Sequence, residues 1–323
     1  MTVARGLGEK ISVCLLTYNH VALIESTLRS ILAQTLDGYE ILVSDDCSTD
    51  GTWERIRALA EEDRRIQPIR TPRNLGMAAN ANFAVARATR PYVALLHHDD
   101  LYREDLLEQW AGILERDAQV VFAFNEYSLH GSSERYVQPI EGERIDGGLF
   151  FESYLLPFWG CPVRGTAMVR REAWDRLGGM RERFGLLADV DLWMRLSRIG
   201  AVGYVHAPVI EVRQDRPAYY PMIYRGEFLS WERQRILYEI HAANRLETLD
   251  FGSPLAMLRW WHFRVRLSVE SLRWIVYALV KRRRELIATC RQAETPYDLP
   301  GLGLLRRMLQ RTAARIGAAG GRA

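Results

Sequence analysis

Apolar residues in the N-terminal half of the chain follow two alternating patterns. Mostly apolar segments, which are typical of buried strands, occupy positions 11–16, 39–44 and 92–96, and a further strand is predicted at 66–70. Between them, apolar residues recur every three or four positions, as in helices, at 21–34, 52–60 and 80–88. Strand-helix-strand units of this kind form parallel sheets with right-handed crossovers. The pattern therefore predicts an α/β fold with helices flanking a sheet.

The alternation continues with a predicted helix at 104–115 and a strand at 120–125, and then lapses. The polar, glycine-containing stretch from Tyr127 to Trp159 predicts loops of the kind that shape binding sites. Beyond it the pattern predicts a strand at 165–169, a helix from Arg171, a helix at 189–199 and short strands around 203–212. After Pro221 the pattern is helical, with a long helix predicted at 258–287.

The composition is that of an ordinary folded protein. With 323 residues, of which 48% are hydrophobic and 26% charged, the chain can form one large α/β domain with an extension, or two modest domains. The polar segment Met1–Lys10 predicts no secretory signal. The four cysteines show no paired spacing and predict a reduced, cytoplasmic protein: Cys14, Cys47, Cys161 and Cys290.

Positive charge is concentrated at the C-terminal end. Residues 251–323 contain 14 Lys/Arg and 4 Asp/Glu, a net charge of +10, whereas the rest of the chain carries −7. Aromatic and basic residues interleave there, and no uncharged apolar run reaches the roughly 18 residues that a spanning helix needs. An amphipathic helix on the inner face of an anionic membrane, a packed helix and a self-association surface are the alternatives. No motif predicts a nucleic-acid partner.

Two adjacent carboxylates, Asp99 and Asp100, directly follow the apolar run 92–96. Ligands of α/β sheets gather at the carboxyl ends of strands, and a charge so close to a core needs a partner. A divalent cation that carries phosphate groups is one such partner, and a helix cap is the alternative. His97 and His98 point to opposite faces if they continue the strand, so both cannot easily bind one ion.

A second acidic segment, residues 45–50, follows the apolar run 39–44. Two parallel strands that end in carboxylates at one sheet edge predict an acidic cleft, suited to a metal ion or to a base and a ribose. Capping of the next helix explains Asp50 better than Asp46. We therefore expect Asp46 to contact a ligand.

A third candidate lies at Arg73 and Asn74, ahead of Gly76, where the chain is expected to turn into a helix. A helix N-terminus beside an arginine predicts an anion site, and a plain turn with a solvated Arg73 is the alternative. Asn80 and Asn82 face different sides of that helix, so at most one of them is expected to face the cleft.

Taken in order, several segments resemble family 2 glycosyltransferases of the GT-A fold. The resemblance covers about residues 9–215 and rests on the following segments: Ser12-Val13-Cys14-Leu15-Leu16-Thr17-Tyr18-Asn19, Val43-Ser44-Asp45-Asp46-Cys47-Ser48-Thr49-Asp50-Gly51-Thr52, Asn74-Leu75-Gly76, His98-Asp99-Asp100, Gly165-Thr166-Ala167-Met168-Val169-Arg170-Arg171, Leu177-Gly178-Gly179 and Ala188-Asp189-Val190-Asp191-Leu192-Trp193.

The resemblance implies a Rossmann-like mixed sheet flanked by helices, with a C-terminal helical extension. It implies a domain over 9–220, with a donor-binding half over 9–125 and an acceptor half over 126–220, followed by the basic helical region 221–323. The implied reaction is metal-dependent, inverting transfer of a sugar from a nucleoside diphosphate donor to a hydroxyl of a glycan or lipid-linked acceptor. A UDP-sugar is the expected donor, with dTDP- and GDP-sugars as alternatives, and Mg²⁺ or Mn²⁺ is the expected cofactor.

The resemblance also implies roles for individual residues. Asp189 is the expected general base, and Asp100 is expected to coordinate the metal ion. Trp159 and Asp191 are the expected acceptor contacts. The expected donor-binding residues are Thr17, Tyr18, Asn19, Asp45, Asp46, Arg73, Asn74, Gly76, Asn80, His98 and Asp99.

One position departs from the family pattern. Many relatives carry a histidine after the strand that ends near Val212, where this chain has Gln214. The resemblance therefore does not say which protein residues besides Asp100 bind the metal ion. A binding or scaffold protein of the same fold that has lost turnover is the alternative function, and the three carboxylates Asp99, Asp100 and Asp189 favour the enzyme. A nucleotidyltransferase would normally show a glycine-rich loop, and none follows the run 11–16.

Overall fold

The computed structural model describes residues 6–156, 161–213 and 231–280, together with Met308 and Arg311. Its strands are β1 (Ile11–Thr17), β2 (Glu40–Asp45), β3 (Ile66–Arg70), β4 (Tyr92–His97), β5 (Asp100–Tyr102), β6 (Val120–Leu129), β7 (Arg135–Tyr136), β8 (Arg144–Ile145), β9 (Ala167–Arg170) and β10 (Ala201–Val212). Its α-helices are α1 (Val21–Leu32), α2 (Thr52–Glu62), α3 (Met77–Val85), α4 (Leu106–Arg116), α5 (Gly147–Phe150), α6 (Arg171–Leu177), α7 (Ala188–Ser197), α8 (Trp231–Glu247) and α9 (Pro254–Val280).

The strands form one mixed sheet in the order β3-β2-β1-β4-β9-β6-β10-β5, with β7 beside β6 and β8 beside β10. The first four strands of this order are parallel, β9 is antiparallel to both of its neighbours, and β6 and β10 are parallel to each other. The predicted α/β class and mixed sheet are confirmed. The carboxyl ends of β1, β2 and β4 meet at one edge of the sheet.

Burial explains why the apolar runs are strands. All seven residues of β1 are buried, and five of the six residues of β4 are. Both faces of this part of the sheet are covered by helices, so its strands are continuously apolar. On α1, Ile24, Leu28 and Ile31 form the buried face, as their spacing predicted. Each such side chain contributes about 1.5–3 kcal/mol when it is fully removed from water.

The structure differs from the predicted elements in the second half of the domain. The short strands expected around 203–212 are one strand, β10, because it pairs with β6 along most of its length. The stretch expected to be loops also contains β7, β8 and α5, followed by a π-helical turn over Phe151–Leu155. A short strand, β5, follows the acidic turn directly and pairs with β10. These pairings are long-range, so local periodicity does not reveal them.

Contacts divide the chain into two units, Met1–Arg216 and Pro217–Ala323, and the boundary predicted at 220 falls outside the described residues. In the second unit α8 packs on α9, where Phe263 and Leu267 are buried and the Arg245 guanidinium lies 4.7 Å from the Phe263 ring centroid. Of the long helix predicted at 258–287, the structure describes the part up to Val280. No helix in the described part of the chain is both long and apolar enough to cross a bilayer.

Candidate active site

Polar side chains from three parallel strands meet at one sheet edge. In the pairing register, Thr17 of β1 lies opposite Asp45 of β2, and Leu16 lies opposite His97 of β4. The segments that follow these strands carry Asn19, Asp46 and the acidic pair Asp99-Asp100. The sequence prediction that the acidic strand ends share one edge of the sheet is thus borne out by the strand order.

The loops after β1 and β2 are held in an uncommon backbone conformation. Asn19 and Cys47 have φ angles of 52° and 60°, in the left-handed region that non-glycine residues rarely adopt. Two hydrogen bonds hold these loops together: the Asn19 amide donates to Ser48 Oγ at 2.9 Å, and the Thr49 amide donates to Asn19 Oδ1 at 2.8 Å. Asn19 therefore shapes the edge of the cleft through its own side chain.

Asp45 lies beneath this loop pair and has no exposed surface. Its Oδ2 accepts from the Ser48 amide at 3.1 Å and lies 3.1 Å from Arg70 Nε. Burial raises the pKa of Asp45 above its ordinary value, against the opposing effect of the Ser48 hydrogen bonds and of Arg70. In the structure Asp45 therefore supports the two loops, and its expected donor contact stays a prediction.

Asp46 organises the next loop. Its Oδ1 accepts from Thr71 Oγ1 at 2.9 Å and from the Leu75 amide at 2.8 Å, and its Oδ2 accepts from the Gly76 amide at 2.8 Å. Gly76 has a φ of 85°, so a side chain at this position would be strained. The turn ahead of α3 therefore exists as predicted and leaves Arg73 and Asn74 exposed. Contacts of these residues and of Asp46 with a donor stay predictions.

The two asparagines of α3 both hold the fold together. Asn80 is buried, accepts from Ser44 Oγ at 2.6 Å and donates to the Ser44 carbonyl at 3.0 Å. Asn82 exchanges two hydrogen bonds of 2.9 Å with the backbone of Met180. The amide of Asn80 thus joins α3 to β2 and faces the interior, and its expected donor contact stays a prediction.

The turn that carries Asp99 and Asp100 is fixed from two sides. Thr27 Oγ1 of α1 lies 2.9 Å from the carbonyl oxygens of both His98 and Asp100. Tyr102 Oη accepts from the amide of His97 at 2.8 Å and donates to its carbonyl at 2.7 Å. Burial raises the pKa of Tyr102 well above its ordinary value, so this hydroxyl keeps its proton at physiological pH.

Two groups of ligand atoms in the described part of the chain have the spacing that a metal ion needs. One consists of His97, Asp99 and Asp100, and the other of His20, His98 and Asp99; within each group the atoms lie no more than 4.8 Å apart. Asp99 belongs to both groups and is half-buried, whereas Asp100 is buried. Oxygen and imidazole ligands suit Mn²⁺ and other divalent ions, so the residues present fit a divalent cation. His97 and His98 belong to different groups.

The expected base, Asp189, lies close to His97 of the first group of potential metal ligands. It opens α7, and Gly165 stands between it and β4 with a φ of 79°. A Cβ at Gly165 would lie 2.7 Å from His97 Cε1 and 3.1 Å from Asp189 Oδ2. The carboxylate and the imidazole therefore converge on a spot that only glycine leaves open. Burial raises the pKa of the partly exposed Cys161 thiol, and the nearby Asp189 carboxylate raises it further.

The second acid of α7, Asp191, has a structural role. It has no exposed surface, and its Oδ2 accepts from Arg195 Nε at 2.8 Å, while Oδ1 lies 3.5 Å from Arg181. Arg195 in turn donates to the Gly179 carbonyl at 2.7 Å. The carboxylate of Asp191 therefore faces the interior and, through Arg195, supports the turn after α6, and its expected acceptor contact stays a prediction.

Two residues that the sequence analysis discussed lie outside the described part of the chain, and three residues of the candidate site were not predicted. Trp159, the other expected acceptor contact, and Gln214 lie outside the described residues. His20, His97 and Gly165 were not among the expected site residues. A signal existed for one of them, since a glycine inside Arg164-Gly165-Thr166, directly before a strand, marks a close approach of the backbone to another group.

Comparison with known proteins gives the family. The model of the family described as "Glycosyl transferase family 2" matches residues 12–178. The chain is 32% identical over 222 residues to the putative glycosyltransferase EpsE of Bacillus subtilis, covering 66% of this chain and 76% of that protein. It is 38% identical over 201 residues to the putative teichuronic acid biosynthesis glycosyltransferase TuaG of the same organism, covering 60% and 74%.

Solved structures show the same fold. The S. aureus TarS fragment 1–349 aligns with a TM-score of 0.58 at 17% identity, covering 73% of this chain and 65% of that one. The mannosyltransferase PcManGT from Pyrobaculum calidifontis, solved in complex with GDP-Man and Mn²⁺, aligns with a TM-score of 0.53 at 21% identity, covering 96% and 86%. The fold is of the GT-A type. The chain belongs to glycosyltransferase family 2 and is a glycosyltransferase.

Proposed function

We propose that this enzyme transfers a sugar, with inversion and with the help of a divalent ion, from a nucleoside diphosphate to a hydroxyl of a glycan or lipid-linked acceptor. The observation that carries the proposal is the convergence of Asp189 and His97 at Gly165. His97 belongs to a group of potential metal ligands, and its closeness to Asp189 supports a general base near the diphosphate of the donor.

The proposed chemistry divides between two groups of side chains. Asp189 accepts the proton of the acceptor hydroxyl, whose oxygen then forms a bond to the anomeric carbon on the face opposite the diphosphate. The bond from that carbon to the diphosphate breaks, and the leaving group takes the electron pair. A bound divalent ion supplies the positive charge that stabilises this leaving group.

For the metal ion we propose His97, Asp99 and Asp100 as the protein ligands. The resemblance implies the metal for Asp100 and the donor for Asp99, but Asp99 is the more exposed of the two and is a member of both ligand groups. We therefore propose Asp99 as the principal ligand, with Asp100 as a second carboxylate ligand from the same turn. The Mn²⁺ named for PcManGT supports a divalent ion, with Mg²⁺ and Mn²⁺ as the candidates.

For the donor we propose a UDP-sugar first and dTDP- or GDP-sugars next. The structural neighbours include complexes with UDP, UDP-GlcNAc and GDP-Man, which supports a nucleotide-sugar donor and leaves the identity of its base undecided. We propose that Thr17, Tyr18 and Asn19 line the nucleoside pocket and that Arg73 and Asn74 contact the diphosphate. Thr17 suits this role, because its buried hydroxyl lies at the strand end and has no hydrogen-bond partner in the described part of the chain.

For the acceptor we propose a growing surface polysaccharide or glycoconjugate. The teichuronic acid relative supports a polymer of the cell envelope. Beside Gly165, Arg164 lies 5.1 Å above the Tyr127 ring, and Tyr127 stacks on Tyr136 with centroids 4.6 Å apart. Flat aromatic surfaces with a nearby cation suit an acidic sugar, so we propose that this cluster contacts the acceptor.

We also propose that the enzyme works in the cytoplasm, at the inner face of the membrane, where a lipid-linked acceptor is found. On α9, Leu255, Leu258 and Trp261 are each more than half exposed, and Arg259 and Arg266 are exposed on the same helix. Exposed apolar side chains flanked by arginines are typical of helices that lie on anionic lipid. The alternative is self-association through this surface, which a measurement of the molecular mass in solution would detect.

The test is the variant Asp189→Asn, which keeps the shape of the side chain and removes its basicity. We expect it to bind UDP as tightly as the wild type and to lose at least about 100-fold in sugar transfer, as removal of a general base does. Asp175→Asn is the matched control, because Asp175 is an exposed carboxylate on the neighbouring α6. Undiminished turnover in Asp189→Asn would remove Asp189 as the base. A wild type that binds the nucleotide and transfers no sugar from any donor in a broad panel would favour the inactive binding protein.

A further inference from the structure

His20 and His98 lie against each other beside the end of β1. Their ring centroids are 3.7 Å apart. Their ligand atoms and a carboxylate oxygen of Asp99 lie no more than 4.8 Å from one another. The reaction proposed above uses the other ligand group, His97 with the two aspartates, and beyond the expected donor contact of His98 it gives this pair of imidazoles no role.

Hydrogen bonds to the backbone set the tautomer of both rings. His20 Nδ1 lies 3.0 Å from the Tyr18 carbonyl oxygen, and His98 Nδ1 lies 2.7 Å from the Leu16 carbonyl oxygen. A carbonyl oxygen only accepts, so each Nδ1 carries the proton and donates it. In a neutral imidazole the other nitrogen, Nε2, then presents a lone pair. A ring that donates one N–H to a carbonyl and presents its other nitrogen is the usual arrangement of a metal-binding histidine.

The surroundings of His98 point to a ligand. Its Nε2 is buried and has no hydrogen-bond partner in the described part of the chain. A buried acceptor without a donor is costly, and a bound cation would remove that cost. The donor set has two nitrogens and one oxygen, which suits Zn²⁺ or Co²⁺ much better than Mg²⁺, an ion that prefers oxygen.

We propose that His20, His98 and Asp99 form a second cation site, which takes a transition metal ion such as Zn²⁺. Four-coordinate Zn²⁺ holds its ligand atoms roughly 3.4 Å apart, so the three side chains need only small rotations to close on it. The fourth position is open to water or to a ligand oxygen.

Asp99 belongs to both sites, so it cannot serve two ions fully. Zn²⁺ at the second site therefore draws the carboxylate away from the ion that would hold the diphosphate, and it inhibits transfer. The expected inhibition of sugar transfer rests on the proposed function, whereas the binding of Zn²⁺ does not depend on it.

The experiment titrates Zn²⁺ into the metal-free full-length protein and follows the heat of binding, with Co²⁺ and its visible absorption as the readout of nitrogen coordination. We expect one tight site in the wild type. His98→Gln and His20→Gln are each expected to weaken it at least about tenfold. His262→Gln, which replaces an exposed histidine of α9, is the matched control and should change nothing.

Three results would overturn the proposal: no nitrogen-type Co²⁺ spectrum in the wild type, unchanged Zn²⁺ affinity in His98→Gln, or a loss in His97→Gln that is larger than the loss in His98→Gln. Should His98→Gln unfold, His20→Gln and the Co²⁺ spectrum of the wild type still decide. The proposed function is tested separately, by sugar transfer in Asp189→Asn. Its failure would not change the result expected for the Zn²⁺ titration.

Discussion

Replacement of Gly165 by alanine tests the convergence on which the proposed active site depends. The added Cβ would lie 2.7 Å from His97 Cε1 and 3.1 Å from Asp189 Oδ2. Carbon atoms in ordinary contact are about 3.5–4.0 Å apart, so the His97 ring has to move by roughly 1 Å. Its backbone cannot follow easily, because Tyr102 holds both the amide and the carbonyl of His97.

The expected result of Gly165→Ala combines two effects. Alanine at a φ of 79° costs about 1 kcal/mol of backbone strain, which lowers Tm by roughly 2–4 °C in a unit of this size. Displacement of His97 and Asp189 by roughly 1 Å lowers kcat by about 100-fold, because misplaced catalytic groups lose their alignment. The assays are thermal unfolding and release of nucleoside diphosphate from UDP-, dTDP- and GDP-sugars with Mn²⁺.

Gly131→Ala is the matched control for this variant. Gly131 has a similar φ of 71°, and an added Cβ there would have no neighbour within 4 Å. Gly131→Ala introduces the same backbone strain without a steric clash. We therefore expect Tm to fall by a similar amount and turnover to equal that of the wild type. Equal turnover of Gly165→Ala and Gly131→Ala would contradict the proposed active site, since the contact of Gly165 with His97 and Asp189 would then have no catalytic consequence.

Three further predictions concern the support of the site and the C-terminal unit. Asp191→Asn leaves the buried Arg195 without its carboxylate and should lower the free energy of unfolding in urea by roughly 3 kcal/mol; a loss under 1 kcal/mol would contradict the structural role. Burial lowers the pKa of His20 from 6.5 to about 4, so in EDTA its contribution to stability is present above pH 6.5 and is lost as pH falls towards 4. We expect a smaller fall of Tm over this range in His20→Gln, and an unchanged fall would argue against burial as the cause. Trp261→Glu should weaken sedimentation with anionic vesicles, whereas Val137→Glu, at an equally exposed site in the first unit, should not; loss in both or in neither would contradict a membrane-binding α9.

The strands of the first half could be predicted because their burial is complete. A strand covered on both faces needs an apolar residue at nearly every position, and this leaves a continuous run in the sequence. The acidic strand ends could be predicted for the same reason, since a carboxylate stands out directly after such a run. β5 and the full length of β10 could not, because each depends on a partner strand far away in the chain.

The direction in which individual polar side chains point was harder to predict than their location. Asp45, Asn80 and Asp191 lie close to the expected edge or helix end, and each faces the interior. Their directions are set by Arg70, Ser44 and Arg195, respectively. Two of these three pairs join separate elements, and a sequence position does not say which neighbour an acid will meet.

The α/β class, the acidic strand ends and, through the order of its motifs, the glycosyltransferase family could be recognised from the amino-acid sequence. These features depend on short segments, because a fully buried strand leaves an apolar run and an acid directly after it stands out. Which polar groups meet depends on tertiary packing: Asp189 lies near His97 across Gly165, and His20 lies against His98 beside Asp99. These contacts join segments far apart in the chain, so their geometry follows from how the helices and strands pack.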